Sequence, residues 1–382
     1  MTLDNFPTTR PAFTANFARS QQLPPQVNFT RTTTGTYTTD TGSVATAPVN
    51  VPRFNWENGR CQGLLIEEAR TNQEIWSTEF SNWTNNGGAM DMTDNAEVAP
   101  DGTTTACRFI QSNTTNATRS ISSRAALVRN GQQSAQTLWV RRVSGTDPQP
   151  TITLTAIGAG GGGTSIVPTN EWQKITKIST NINDGNSYYC QVLTIGWDIN
   201  GAANNNVYAF WGSQFENNTS FATSYIPTSG AAATRAQDVC EITGDDFSSW
   251  YNGNEGTIVS DVIVPSRECS YYSFTGTTYI SALSYVSPGT LVQSTGSQLS
   301  WTGTSYSDPV KVAVSYNDLE FVASRDGGTV QSDPSTVNKT GIDRVYFGRF
   351  WTGTNFAKGV TISRISYYPT RVSNDALEAL TQ

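Results

Sequence analysis

Histidine is absent from all 382 residues of the sequence. This absence excludes Ser-His-Asp and Cys-His catalytic arrangements and metal sites built on imidazole. Charged residues are scarce as well, at 14% against roughly 25% in an average soluble protein. The net charge is −7, whereas nucleic acids and anionic membrane surfaces are bound by clustered Lys and Arg. We therefore expect no nucleic-acid partner.

The sequence also lacks long apolar runs and closely spaced cysteines. No run approaches the roughly 20 apolar residues of a membrane span, so we expect no membrane insertion. The first six residues lack the basic and apolar regions of a signal peptide. No Cys-x-x-Cys pair occurs, which argues against a zinc or redox motif. The five cysteines therefore indicate reduced, mostly buried thiols and synthesis in a reducing cytoplasm: Cys61, Cys107, Cys190, Cys240 and Cys269.

Aromatic residues are plentiful, with 10 Trp, 15 Tyr and 16 Phe, and they supply much buried area per residue. Short runs that alternate apolar with polar residues are separated by Gly, Asn and Ser clusters, a pattern typical of antiparallel sandwiches and jelly rolls. We predict an all-β fold of tandem antiparallel β-sandwiches of the jelly-roll type, with an extended N-terminal arm and one short C-terminal helix. Ser373 is the expected cap of that helix.

Three segments are expected along the chain. Residues 1–73 form an N-terminal arm and β-hairpin region that anchors the protein, because Pro7, Pro11, Pro24 and Pro25 disfavour a helix. Residues 74–235 form a first sandwich, and residues 236–382 form a second one. In the first sandwich, three tryptophans lie in alternating strands and are expected in the core: Trp139, Trp172 and Trp211.

One block of ten residues has an unusual composition for this chain. Residues 63–72 read Gly-Leu-Leu-Ile-Glu-Glu-Ala-Arg-Thr-Asn, and Phe80-Ser-Asn-Trp83 follows. This pairing resembles bacteriophage virion proteins of the tail-fibre, head-fibre and head-spike kind, which carry lectin-like sandwiches.

Further motifs resemble two kinds of carbohydrate-recognition domain. Pro100-Asp-Gly-Thr-Thr-Thr-Ala106 and Glu171-Trp-Gln-Lys174 are similar to jelly-roll carbohydrate-binding modules. Lys311-Val-Ala-Val-Ser-Tyr316 and Ile342-Asp-Arg-Val-Tyr-Phe-Gly348 resemble a concanavalin-A-like, LamG-type sandwich.

The resemblance implies a non-enzymatic virion appendage or decoration protein that contacts host surface polysaccharide. It implies a virion location and a homo-oligomer, with a trimer suggested by the fibre resemblance alone. Residues 1–25 would bind other virion subunits by strand addition. The alternatives are a purely structural capsid or tail cement or adaptor, and a polysaccharide depolymerase.

Two carboxylate pairs bear on the depolymerase alternative. Glycoside hydrolysis requires two carboxyl groups that face one bond. Glu67-Glu68 and Asp245-Asp246 are adjacent pairs, and on a strand neighbouring side chains point to opposite faces. The Glu-x-Asp-x-x-Glu pattern of concanavalin-like glycosidases is absent. We therefore expect no enzyme activity, and for Glu67 and Glu68 we expect salt bridges or turn hydrogen bonds involving Arg70.

No cofactor is expected, apart from weak support for a structural Ca²⁺. Its candidate ligands are Asp91, Asp94, Asp245 and Asp246, for which solvated loop carboxylates are the favoured interpretation. Glycan binding requires exposed flat aromatic side chains that stack on a sugar ring. The candidates lie among Gly, Ser and Thr in expected loops of the second sandwich: Tyr271, Tyr272, Trp301, Tyr306 and Trp351.

Overall fold

A computed structural model describes residues 10–86, 90–111, 119–127, 130–145, 151–157, 159–160, 162–181, 187–195, 207–265, 269–284, 289–302, 309–334, 339–350 and 359–382. The described residues are mostly in antiparallel strands, which confirms the all-β prediction. Their α-helices are short: α1 (Phe17–Ser20), α2 (Asp245–Ser248) and α3 (Asn374–Leu380). A 3-10 helix covers Phe80–Asn82.

The chain forms two compact units, which we call the terminal unit and the central unit. The terminal unit contains the described residues up to Gly42, together with Thr46–Ala69 and Ala236–Gln382. The central unit contains Ser43–Ala45 and Arg70–Arg235. Most described residues of the 1–73 segment belong to the terminal unit.

The first six strands come from this N-terminal part: β1 (Phe13–Asn16), β2 (Asn28–Thr30), β3 (Gly35–Thr38), β4 (Val44–Ala47), β5 (Arg53–Glu57) and β6 (Arg60–Ile66). Thirteen strands of the described central part follow: β7 (Arg70–Asn72), β8 (Thr84–Asn86), β9 (Met90–Glu97), β10 (Ala106–Gln111), β11 (Arg119–Leu127), β12 (Gln133–Ser144), β13 (Thr151–Ile157), β14 (Ala159–Gly160), β15 (Thr164–Ile166), β16 (Gln173–Asn181), β17 (Ser187–Ile195), β18 (Val207–Asn217) and β19 (Ala233–Arg235).

The remaining strands belong to the C-terminal part: β20 (Val239–Thr243), β21 (Gly256–Ile263), β22 (Ser270–Gly276), β23 (Tyr279–Ser284), β24 (Gly289–Ser294), β25 (Ser297–Thr302), β26 (Pro309–Tyr316), β27 (Phe321–Arg325), β28 (Gln331–Asp333), β29 (Ile342–Phe347) and β30 (Val360–Tyr368).

The central unit is a sandwich of two antiparallel sheets. One has the order β14-β16-β12-β18-β10-β9 and the other the order β15-β13-β17-β11-β8. Chain-successive strands from β10 to β13 and from β16 to β18 alternate between the sheets, which is the jelly-roll arrangement. Buried side chains of both sheets meet in one core, among them Phe109, Leu138, Ile152 and Phe210.

Trp211 is buried in a second cluster of this unit, which also contains Ala106, Ala209 and Tyr225. Trp139 and Trp172 are half-buried against the same cluster. The prediction of a packing role for these three tryptophans is therefore confirmed. They do not contribute to the cluster that contains Phe109 and Phe210, because residues of one strand alternate between its two faces.

The terminal unit is also a sandwich. Its eight-stranded sheet has the order β28-β27-β26-β21-β30-β6-β5, with β1 paired to β30. Its seven-stranded sheet has the order β2-β20-β29-β22-β23-β24-β25. Four N-terminal strands, β1, β2, β5 and β6, thus complete sheets whose other strands come from the C-terminal part.

The described part of the N-terminal segment is not a free arm. Phe13 pairs with Tyr367 and Asn16 with Arg364, so β1 adds a strand to its own sheet. Phe13, Ala15 and Phe17 are buried in the core of the terminal unit. Their alternation with polar residues outweighs the neighbouring prolines. The expected docking of residues 1–25 on another subunit stays a prediction, and residues 1–9 lie outside the described part.

The C-terminal helix is confirmed. The Ser373 hydroxyl accepts a hydrogen bond from the Ala376 amide at 3.2 Å, which satisfies one of the free donors at the start of α3. Leu377 and Leu380 are buried, with Val259 and Val322 in the same cluster.

Candidate functional site

A cleft of about 490 Å³ opens on the surface of the terminal unit. Its floor contains the buried side chains of Phe247 and Ile342, and Tyr251 is half-buried in its wall. The remaining side chains that line it are polar and exposed: Asp245, Ser248, Asn254, Thr340 and Asp343, with Gly244 and Gly253 between them. A polar rim over an apolar floor is the usual composition of a small-molecule site.

Strand pairing explains why residues distant in sequence share this cleft. Thr243 at the end of β20 pairs with Arg344 near the start of β29. The chain then turns at Gly244, whose φ of 61° is in the left-handed region, and enters α2 with Asp245. Asp343 precedes Arg344 on β29, so the two carboxylates come to one place through the pairing of these strands.

The opposite wall depends on a close approach between two backbones. A Cβ atom on Gly253 would lie 2.7 Å from Thr340 Cα, so only glycine fits there. Asn252 holds the loop: its side-chain amide donates to Pro369 O at 2.9 Å, and its carbonyl-type Oδ1 accepts from the Asn254 amide at 3.1 Å. The exposed Asn254 side chain therefore stands on a fixed loop.

Asp343 is held as an ionised acceptor. Arg344 donates to it through Nε at 2.6 Å and Nη2 at 3.2 Å, a two-pronged contact. This hydrogen bonding to Arg344 lowers the pKa of the Asp343 carboxyl. At neutral pH Asp343 can thus accept hydrogen bonds from a ligand but cannot donate one.

Tyr251 provides a rigid aromatic wall. Its ring is stacked on Phe247 with centroids 4.8 Å apart, and its hydroxyl donates to Lys339 O at 3.1 Å. Burial raises the pKa of the hydroxyl, so it stays neutral. The ring also lies near Tyr367 and Phe274, with centroids 5.5 Å and 6.0 Å away, so a ligand can contact only the part of the ring left at the cleft surface.

The aromatic residues expected to bind glycan do not line this cleft where the structure describes them. Tyr271 and Tyr272 are 0% exposed in β22, so the expectation that they lie in an exposed loop is wrong. The run Ser270-Tyr-Tyr-Ser-Phe274 is a fully buried strand, which has no polar alternation to distinguish it from a loop rich in Ser. Trp301 is half-buried in β25 and packs against the core. Tyr306 and Trp351 lie outside the described residues.

The sequence argument assumed that the two adjacent carboxylate pairs lie on strands. In the structure neither pair does. Glu67 and Glu68 follow the end of β6, and Asp245 and Asp246 begin α2. Glu67 is buried and forms a salt bridge with Arg53 at 2.7 Å. Arg70 donates to the carbonyl oxygens of Asn217 and Asn218. Glu67 thus forms a salt bridge, as expected, and the partner shown is Arg53.

In the described ranges, no group of three His, Cys, Asp or Glu residues is placed to hold a metal ion. Asp94 accepts hydrogen bonds from Ser81, and Asp245 lines the cleft. Cys107 and Cys240 are buried free thiols, Cys61 is a half-buried free thiol, and Cys269 is buried. None of the described helices is long and apolar enough to cross a membrane.

Sequence reasoning missed most of the cleft. The sequence suggests Asp245 as a calcium ligand or as part of an adjacent carboxylate pair, and Asp343 only as part of a sandwich-like motif. The segment Asp245-Asp-Phe-Ser-Ser-Trp-Tyr-Asn-Gly-Asn254 does carry a signal, since carboxylates, aromatics and amides occur together between two strands. Asp343 and Thr340 could not be linked to it without the pairing of β20 with β29.

Comparisons with known proteins give structural similarity alone. No family model and no curated protein matches the sequence. A xylan-binding CBM22-1 domain of Xyn10C from Paenibacillus barcinonensis is 16% identical, with 41% of this chain and 96% of that one covered and a TM-score of 0.28.

Two further solved structures show similarly low identity and TM-score. The CBM40 of the Ruminococcus gnavus IT-sialidase, bound to α2,3-sialyllactose, is 18% identical over 36% of this chain and 88% of that one, with a TM-score of 0.31. A sialidase from Trypanosoma rangeli is 10% identical over 72% of this chain and 60% of that one, also with a TM-score of 0.31. The fold described above rests on the strand pairing of this chain itself.

Proposed function

We propose that the protein is a non-enzymatic glycan-binding protein and that the cleft of the terminal unit is its binding site. The observation that carries this proposal is the composition of the cleft. Two carboxylates, an amide and two hydroxyls surround an apolar floor and a tyrosine ring. Sugars present the matching surface, with hydroxyl donors around their edge and C–H groups on their faces.

The cleft suits a rigid sugar because its own groups are already fixed. Arg344 orients Asp343, the Asn252 contacts hold the loop of Asn254, and Phe247 supports Tyr251. Sugar hydroxyls would donate to Asp245 and Asp343, and one C–H face would lie against Tyr251. Little side-chain freedom is lost on binding, which favours affinity in a shallow site.

The carboxylates of the cleft favour binding over hydrolysis. A glycosidase needs one carboxyl group that keeps its proton near neutral pH, which burial or a second close carboxylate achieves. Asp245 and Asp343 are both exposed, and the pKa of Asp343 is lowered. We therefore assign both residues to hydrogen bonding, and the depolymerase alternative predicts sugar release by the purified protein.

The proposed setting is a phage virion, where the protein would be an appendage or decoration protein that contacts host surface polysaccharide. Its support is the sequence resemblance of residues 63–83 to virion proteins. Several copies on one particle would convert weak single-site binding into strong attachment without new contacts. Homo-oligomerisation and a trimer belong to this proposal.

A glycan array tests the proposal with the full chain. We expect binding by the wild type, and loss of at least tenfold in apparent affinity for the double variant Asp245→Ala/Asp343→Ala. Asp318→Ala is the matched control, since Asp318 is an exposed carboxylate of the same unit outside the cleft. Equal binding by all three proteins would remove the cleft from the proposal, and no binding above background would overturn the function.

A further inference from the structure

The cleft has an uneven distribution of charge. Among the described residues that line it, none is Arg or Lys, whereas Asp245 and Asp343 are both present. Asp246 is exposed beside Asp245 and adds a third carboxylate to the neighbourhood. Asp343 is paired with Arg344, so the negative charge at the cleft comes from Asp245 and Asp246, and it has the sign that repels an acidic ligand.

Two cations are sequence neighbours of lining residues, Arg344 beside Asp343 and Lys339 beside Thr340, and both make contacts of their own. Both hydrogen bonds of Arg344 noted above are made to Asp343, which leaves that pair close to neutral. Lys339 contributes its carbonyl oxygen to Tyr251, but its ammonium group points into the protein. Its Nζ donates to Ser294 Oγ at 3.0 Å, and the side chain is 2% exposed.

The hydrogen-bonding groups of the cleft also favour an uncharged ligand over an acidic one. Ionised carboxylates only accept, and an acidic sugar presents a further acceptor where the cleft already has two. Proteins recognise carboxylates through Arg, Lys or converging N–H groups. Neutral sugars instead present many O–H donors, which the two carboxylates can satisfy.

From this geometry we infer that the cleft selects uncharged, hydroxyl-rich glycans and rejects glycans whose bound residue carries a carboxylate, such as sialic or uronic acids. The inference rests on the proposed function and deepens it by naming the ligand class. The preference for neutral over acidic glycans then arises partly from repulsion, because the carboxylate of an acidic glycan would face the carboxylates of the cleft.

Matched pairs of oligosaccharides test the inference. The full chain is presented with neutral glycans and with the same glycans carrying a terminal sialic acid, and with hexose and uronic acid oligomers of equal length. We expect binding of at least one neutral member and at least tenfold weaker binding of its acidic counterpart. Equal or tighter binding of the acidic member would overturn the inference and leave the glycan-binding function standing. Binding of neither member in any pair would overturn the proposed function, and the inference with it.

Charge-neutralised variants identify the cause of the discrimination. Asp245→Asn/Asp343→Asn keeps the side-chain shapes and one acceptor oxygen on each residue while it removes both charges. We expect weaker binding of neutral glycans and a ratio of neutral to acidic affinity that moves at least threefold towards one. A ratio unchanged from the wild type, in a variant with the wild-type melting temperature, would show that these carboxylates do not cause the selectivity. Asp318→Asn serves as the control and should keep the wild-type ratio.

Discussion

Arg53 and Glu67 form an ion pair that is closed to solvent, with 2.7 Å between Nη1 and Oε2 and side-chain exposures of 0% and 5%. Arg53 also contacts Asp238 at 2.5 Å, and Asp238 contacts Arg31 at 3.1 Å. Two positive and two negative charges are thus buried together. They join β5, the end of β6, the segment after β2 and the segment before β20, so Glu67 of the 63–72 block stabilises the terminal unit.

Neutralising Glu67 should destabilise the terminal unit. Glu67→Gln keeps the size of the side chain but leaves Arg53 with part of its charge uncompensated in a buried position. Removing one partner of a buried ion pair costs about 3 kcal/mol of unfolding free energy. Calorimetric unfolding measures this loss, and Glu57→Gln on the exposed end of β5 is the control. Equal stability of the two variants would contradict a stabilising role for the Arg53–Glu67 ion pair.

Gly63 should tolerate no side chain. Its φ is 128°, and a Cβ atom would lie 2.1 Å from the carbonyl oxygen of Ile362 on β30. We expect Gly63→Ala to cost about 3 kcal/mol or to prevent folding, because the contact involves backbone that cannot move aside. Gly42→Ala is the control, since its φ is also positive, at 79°, but nothing lies within 4 Å of the added methyl. A Gly63→Ala protein as stable as Gly42→Ala would disprove the close approach.

Loss of the hydroxyl should change the stability of the protein in opposite directions at two buried tyrosines. The Tyr272 hydroxyl has no hydrogen-bond partner among the described residues, whereas that of Tyr316 donates to Asn252 O at 2.7 Å. Tyr272→Phe should be neutral or stabilise by about 1 kcal/mol, and Tyr316→Phe should destabilise by a similar amount. Both effects are measured by chemical denaturation. Tyr272→Phe should also keep the wild-type glycan binding, and a loss would restore Tyr272 to the binding site.

Lys339 should make stability depend on pH above neutrality. Burial lowers the pKa of its ammonium group to about 8, against an ordinary value of 10.5 in the unfolded chain. Between these values the unfolded state binds more protons, so this group makes stability rise with pH from about 8 to about 10. Lys339→Met removes this pH dependence, so its stability relative to the wild type should be greatest at pH 7 and should fall as the pH rises. A difference that does not change with pH would contradict this account, as measured by melting curves at pH 7 and pH 9.5.

Local sequence patterns were sufficient for much of the fold. Alternating apolar residues indicated antiparallel strands, and Ser373 located the start of α3, because these elements are specified by neighbouring residues. The integration of β1 was missed, since it depends on pairing between Phe13 and Tyr367 at opposite ends of the chain. The buried charges were missed for the same reason, since Glu67 meets Arg53 and Asp238 only in the folded unit.

Most of the candidate site could not be predicted from the sequence. Tyr271 and Tyr272 were expected to be exposed because flanking Ser residues suggest a loop, whereas the strand is buried on both faces. Asp245 and Asp343 are brought together by one pair of strands, β20 and β29, which no local pattern encodes. Residue types alone could indicate a sugar-binding surface but could not assemble it.

The most direct test of the central claim is a crystal structure of the full chain soaked with the neutral glycan that binds most strongly in the array. We predict that a sugar ring lies in the cleft, with hydroxyls within hydrogen-bond distance of Asp245 and Asp343 and a C–H face against Tyr251. A glycan bound at another surface, with the cleft empty, would contradict the assignment.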